Sequence, residues 1–199
     1  MTPIFIKEFL PPNILSLCYQ YTLIKYTNKS FEDFDSQSNS IISEHSDYLM
    51  ETLLDISTSV IEKNTLKSLW PTYSFLRIYD RESDLPVHKD RGSCEYTLAL
   101  CLGASPVDKP YEIFIGSEDN SSDYKYFDDE GKYNRYKVEH KFSMLPNNAV
   151  LFKGMENVHW REKCTHDHYT TVFLHYVDQK GPYAEFKYDK RDKLGELKK

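Results

Sequence analysis

The strongest constraint on this chain is a change of hydrophobic period near Trp70. Beyond it, β-favouring residues alternate in TYSFLRIY (72–79), CEYTLALCL (94–102), YEIFI (111–115), AVLFK (149–153) and TTVFLHYV (170–177). Alternate side chains of an extended chain share a face, so each stretch reads as a strand with two distinct surfaces. All seven glycines lie beyond residue 91, where turns between strands need them. Five or more strands with no helices between them imply an antiparallel sandwich or barrel.

Before Trp70 the pattern is mainly helical. PIFIKEFL reads as a short edge strand, and Asn13 as the N-cap of a helix bearing Ile14, Leu17, Cys18 and Tyr21 on one face. Thr27 to Ser40 is polar and reads as a loop. Ser46 or Asp47 then caps a helix ending near Asn64, with Leu49, Leu53, Ile56 and Val60 as its apolar stripe. The whole is an α+β pattern over one domain, 1–199: helical support over 1–69, a β core over 70–186 and a charged tail over 187–199, read as a surface helix or frayed end. Residues 117–130 carry six acids and one lysine and read as a solvated loop, with a cation site as the alternative.

Composition narrows the function classes. A net charge of −6 argues against a broad grip on nucleic acid, so no nucleic-acid partner is expected. No apolar run approaches the ~20 residues that span a bilayer, so no membrane association is expected either, and a cytoplasmic location is. Cys18, Cys94, Cys101 and Cys164 form no CxxC pair and read as reduced thiols, with Cys94 and Cys101 on opposite faces of one strand.

A histidine, a spacer and an acid in extended backbone put two metal donors on one face. Both His45–Ser46–Asp47 and His88–Lys89–Asp90 have that spacing. In the first, Ser46 or Asp47 has a capping role; the second stands between two strands. His159, after the strand AVLFK and the turn at Gly154, supplies a third donor. Two histidines and a carboxylate make the facial triad of non-haem Fe(II) oxygenases, with open positions for other ligands. A zinc set of His159, Cys164, His166 and His168 is the alternative, although its spacing suits a closed tetrahedral site poorly.

PTYSFLRIYDRESDLPVHKDRGSCEYTLAL, LPNNAVLFKGMENVHWRE and VFLHYVDQKGPYAEFK, together with LMETLL near residue 50, resemble small Fe(II)- and 2-oxoglutarate-dependent oxygenases related to the catalytic domain of prolyl 4-hydroxylases. The resemblance runs over about 47–188. It implies a double-stranded β-helix, a cupin-like jelly roll buttressed by N-terminal helices. It also implies Fe(II) on His88, Asp90 and His159, and C–H hydroxylation by dioxygen with conversion of 2-oxoglutarate to succinate and CO2, ascorbate serving as a reductant. Because Asp90 is present, hydroxylation rather than halogenation is implied. The expected substrate is a small molecule or an amino acid, with peptidyl prolyl or lysyl hydroxylation as one alternative and a non-catalytic metal-binding β-sandwich as the other.

The sequence departs from the family where a cation should anchor the far carboxylate of 2-oxoglutarate: nine and ten residues past His159 stand His168 and Tyr169. Arg161 is the replacement candidate, since in an extended HWR it shares a face with His159 and offers a planar fork; a salt bridge with Glu162 is its structural alternative. Tyr79 is a candidate donor to the same carboxylate, and Arg77 shares its face. Arg91 stands beside Asp90, to orient it or to meet the substrate. Trp70, Phe75 and Phe173 read as core, His140 as solvent-facing, and His175 as an interior residue near the site or a satisfied buried histidine.

Overall fold

The computed structural model describes residues 1–28, 42–128 and 131–196. In chain order the elements are β1 (Ile4–Ile6), α1 (Pro12–Asn28), β2 (Ile42–His45), α2 (Tyr48–Thr65), β3 (Leu69–Tyr79), β4 (Leu85–His88), a short 3₁₀ turn (Gly92–Cys94), β5 (Tyr96–Ser105), β6 (Tyr111–Glu118), β7 (Lys125–Phe127), β8 (Tyr133–Met144), β9 (Ala149–Phe152), β10 (Val158–Arg161), β11 (His168–Asp178) and a 3₁₀ segment (Ala184–Lys190). The strands form two antiparallel sheets, a major one in the order β1-β9-β5-β11-β3-β2 and a minor one in the order β4-β10-β6-β8-β7. This is the jelly-roll core of a double-stranded β-helix with helices packed outside it, as the strand pattern and the resemblance imply.

The major sheet is buried on both faces, because the helices cover one and the minor sheet covers the other. On β11, Val172, Leu174 and Tyr176 join Leu53, Leu54 and Ile61 of α2 and Leu76, Leu98 and Leu100 in one apolar layer. Tyr169 and Phe173, one position out of phase, join Tyr79, Ala99, Cys101, Ile113, Ile115, Val150 and Phe152 between the sheets. The second layer surrounds the candidate site.

Several elements correct the sequence reading. The first helix begins at Pro12, with the amides of Ile14 and Leu15 bonded to the Pro11 carbonyl, so Asn13 lies inside the first turn. Leu17 is exposed; Cys18 and Thr22 are buried instead. Residues 27 and 28 are helical, and the rest of the segment read as a loop lies outside the described residues. Asp47 does cap α2, accepting from the amides of Leu49 and Met50. The buried stripe of α2, however, is Met50, Leu53, Leu54, Ser57 and Ile61, while Ile56 and Val60 are 59% and 39% exposed. Two neighbouring stripes carry apolar residues at helical spacing, and packing on the sheet selects the later one.

β4 and β8 were not among the expected strands, and β7 lies within the acidic stretch read as a loop. Among the described residues that stretch contributes to no group able to hold a metal; 129 and 130 lie outside them. Cys94 sits in the 3₁₀ turn rather than on β5, and all four cysteines are free and buried. Trp70 is only half-buried, under the Lys187 ammonium at 3.8 Å, and His140 is likewise half-buried. The tail is not frayed at its start: Asp189 is buried, and Arg191 pairs with Glu51 at 2.5 Å where both side chains are nearly inaccessible. Among the described residues no helix is long and apolar enough to cross a membrane.

Candidate metal centre

Strand pairing brings the two histidines together. β10 lies between β4 and β6, and its His159 stands opposite His88 in the antiparallel ladder, with ring centroids 4.2 Å apart. Asp90 leaves the strand end two residues after His88, and its amide bonds to the Gly154 carbonyl at 3.0 Å. Its Oδ1 lies 3.5 Å from His88 Nε2 and 3.4 Å from His159 Nε2.

Both rings are oriented from behind by their own chain. His88 Nδ1 lies 2.8 Å from the Pro86 carbonyl and His159 Nδ1 lies 3.0 Å from that of Asn157. A carbonyl only accepts, so each Nδ1 carries a proton and Nε2 is the ring nitrogen left to face Asp90, a donor when protonated and a metal-binding lone pair when not. This is the outer support that orients metal-binding imidazoles. Burial depresses the His88 pKa, with His159 adding to the effect. Burial alone would raise that of Asp90; the two facing imidazoles in their protonated form, His159 foremost, outweigh it and hold the carboxyl well below its usual range.

The space behind Asp90 is equally specific. Thr97 Oγ1 donates to Asp90 Oδ2 at 3.0 Å. A side chain at residue 154 would collide with both Asp90 Oδ2 and Thr97 Oγ1, so Gly154 is the residue that lets the chain close over the carboxylate. Two neutral imidazoles and one carboxylate, with their donor atoms within 4.8 Å of one another, fit a divalent metal of the Fe(II) type. Asp90 also forms a second such group with Cys94 and His175, the one other among the described residues.

Arg161 follows His159 by two residues on β10, about 7 Å along the strand. It is 1% exposed. The rings of Tyr79, Tyr111 and Tyr169 surround its guanidinium with centroids at 5.8, 4.8 and 5.2 Å. Nη1 donates to the carbonyls of Tyr111 and Glu112 at 3.0 and 3.1 Å, whereas Nε and Nη2 have no hydrogen-bond partner. The Tyr169 hydroxyl interacts with this cation without reaching hydrogen-bond geometry. The salt bridge with Glu162 is not formed, and no carboxylate among the described residues pairs with Arg161. A buried cation with two unmade donors is costly unless an anion completes it.

The other candidates fall as follows. Tyr79 is fully buried in the cage, and its hydroxyl accepts from Arg77 Nη1 at 3.2 Å. Arg91 is not turned to the centre: both its terminal nitrogens bond the Asp189 carboxylate, at 2.7 and 2.8 Å, and its guanidinium lies over Tyr73. Arg91 was expected to orient Asp90 or to meet the substrate; its fork is instead filled by Asp189. The zinc alternative does not assemble. His166 Nε2 contacts the Lys109 carbonyl at 2.9 Å and His168 Nε2 contacts the Tyr19 hydroxyl at 2.6 Å, each apart from His159. His175 is buried and meets Thr97 Oγ1 at 3.1 Å. Sequence reasoning missed Thr97, Tyr111 and the roles of Gly154 and Tyr169. Tyr169 was detectable, since it occupies the counted cation position and pairs in register with Tyr79.

No protein-family model matches the sequence, and no curated protein matches it in sequence. Solved structures match its fold. A prolyl-4-hydroxylase from Pseudomonas putida superposes with a TM-score of 0.61 at 10% identity, covering 88% of this chain and 92% of that one. A prolyl hydroxylase from Trichoplax adhaerens, in complex with a hypoxia inducible factor peptide fragment, gives 0.62 at 15% identity over 89% and 84% of the two chains. The epimerase SnoN from nogalamycin biosynthesis, in complex with Fe3+, alpha ketoglutarate and nogalamycin RO, gives 0.64 at 10% identity over 88% and 78%. The chain therefore shares the fold of the 2-oxoglutarate/Fe(II) oxygenases at low sequence identity.

Proposed function

We propose that this chain is a non-haem Fe(II)- and 2-oxoglutarate-dependent dioxygenase that hydroxylates a C–H bond of a small molecule or amino acid, releasing succinate and CO2. The carrying observation is one strand, β10, that presents a metal-ready His159 Nε2 and, two residues on, a buried Arg161 with two unmade donors. That separation matches the reach of a five-carbon dicarboxylate held at both ends.

His88, Asp90 and His159 would hold the iron, which when bound supplies the redox chemistry coupling decarboxylation of 2-oxoglutarate to oxygen insertion. The chain's own residues do the rest. Arg161 receives the far carboxylate through Nε and Nη2, while Nη1, tied to two carbonyls, keeps the fork from turning. Tyr79, Tyr111 and Tyr169 exclude water around that ion pair and so strengthen it. Asp90 occupies the position that a halide would need, which favours hydroxylation.

Two relatives bear on the substrate. SnoN is described with nogalamycin RO and the Trichoplax enzyme with a peptide fragment, so peptidyl prolyl or lysyl hydroxylation is the second reading. The test is incubation of the protein with Fe(II), 2-oxoglutarate, ascorbate and a library of metabolites and peptides, scored by mass spectrometry for a gain of one oxygen and by succinate release. Modification of a metabolite that vanishes in His88→Ala supports the first reading. Modification of peptides alone supports the second, and neither product at any substrate favours a non-catalytic metal-binding β-sandwich.

A further inference from the structure

The face of Asp90 turned away from the histidines carries a feature that the proposed reaction does not use. Asp90 Oδ2 accepts a hydrogen bond from Thr97 Oγ1 at 3.0 Å, and the same hydroxyl lies 3.1 Å from His175 Nδ1. Thr97 is wholly buried and His175 is 4% exposed, so water does not substitute for either partner. A hydroxyl has one proton. Its possible acceptors are the Asp90 carboxylate at 3.0 Å, the Cys94 carbonyl at 3.4 Å and an unprotonated His175 Nδ1. The ionised carboxylate is the strongest of these and the nearest. With the proton committed to Asp90, the Thr97 lone pair faces His175, whose Nδ1 must be the donor.

We infer that His175 and Thr97 form a directed donor chain, His175 Nδ1–H to Thr97 Oγ1–H to Asp90 Oδ2, that holds Asp90 to one-oxygen coordination. This deepens, and rests on, the reading of His88, Asp90 and His159 as metal ligands. The chain fixes which oxygen is free. Oδ1 faces the two Nε2 atoms, and Oδ2 is held by Thr97 with Gly154 packed against it. Turning both oxygens to a metal would break the Thr97 bond and leave its buried hydroxyl only the longer contact to the Cys94 carbonyl at 3.4 Å. The device therefore keeps Oδ2 out of the metal site, so that Asp90 would offer a metal one donor atom, Oδ1. Thr97 and His175 are positioning residues: neither is placed to touch substrate.

The test uses full-length metal-free protein and Co(II), a redox-stable probe, in Thr97→Val and Thr97→Ser. Valine keeps the volume and removes the donor; serine restores it. Thr97→Val should lower Co(II) affinity about 10–100-fold and change the visible Co(II) spectrum, Thr97→Ser should restore both, and cooperative thermal unfolding of each metal-free protein should show that it is folded. Nitrogen NMR of the metal-free wild type should find the His175 proton on Nδ1. Wild-type affinity and spectrum in Thr97→Val, beside an Asp90→Ala that takes up no Co(II), overturns this inference and leaves the ligand assignment standing. A His175 protonated only on Nε2 also overturns it. A wild type that binds no Co(II) overturns the ligand assignment, and the inference with it.

Discussion

Arg161 is the residue whose surroundings most need a ligand, since its Nε and Nη2 are buried without partners. Charge-assisted hydrogen bonds are each worth about 1.5–3 kcal/mol, so Arg161→Gln should weaken 2-oxoglutarate binding at least about tenfold while leaving Fe(II) affinity unchanged. Equal loss of both in anaerobic titrations would return Arg161 to a purely structural role. His175 makes a second prediction. Burial pushes its pKa from the ordinary 6.5 down to about 4, so between those values the unfolded chain binds a proton that the native protein does not. Stability of the metal-free protein should therefore fall as pH drops from 6.5 to 4, His175 contributing at most about 3 kcal/mol of that fall. In His175→Gln the denaturant midpoint should vary less over that window; parallel profiles would contradict it. The His88–Asp90 pair was legible because its spacing is local, and His159 through its place after a strand and a turn. Tyr111, Thr97 and the closure at Gly154 were not, because their meaning lies in contacts between strands far apart in sequence.

At the scale of elements, the strands rich in aromatic and β-branched residues were legible, and so was the Asp47 cap. What failed was the choice between equivalent options. Two apolar stripes run along α2, and the packed one brings Glu51 beneath Arg191 of the C-terminal segment. β4 was hidden because its Leu85–His88 includes a proline, which an edge strand tolerates. The docked C-terminus, read as a charged tail, could not be foreseen from charge alone. Glu51 also accepts the Gly195 amide, and Arg191 also donates to the Thr72 carbonyl, so the segment is tied to both α2 and β3. Arg191→Ala leaves Glu51 as a buried charge without its cation and should cost about 3–5 kcal/mol in denaturant unfolding. A change below about 1 kcal/mol, the range of exposed pairs, would mean that the segment is not docked in solution.

For the molecule as a whole, the change of period near Trp70 divides support from chemistry. The helices cover the outer face of the major sheet, and that cover explains why its strands are apolar on both faces rather than alternating with polar residues. With one face packed by helices, the other is left to face the candidate site between the sheets. There β10 carries His159 and Arg161 inward and Trp160 outward against Phe114. On the proposed reading, the cation missing at the position of Tyr169 is supplied within the same cage by Arg161 of another strand. The most direct test of this account is an anaerobic titration of metal-free protein with Fe(II) and 2-oxoglutarate, followed by the visible charge-transfer absorption of the chelate. The account predicts one Fe(II) per chain, the band appearing only when both are present, and loss of Fe(II) binding in each of His88→Ala, Asp90→Ala and His159→Ala. Wild-type-like Fe(II) binding in all three variants, or no band in the wild type, would contradict it.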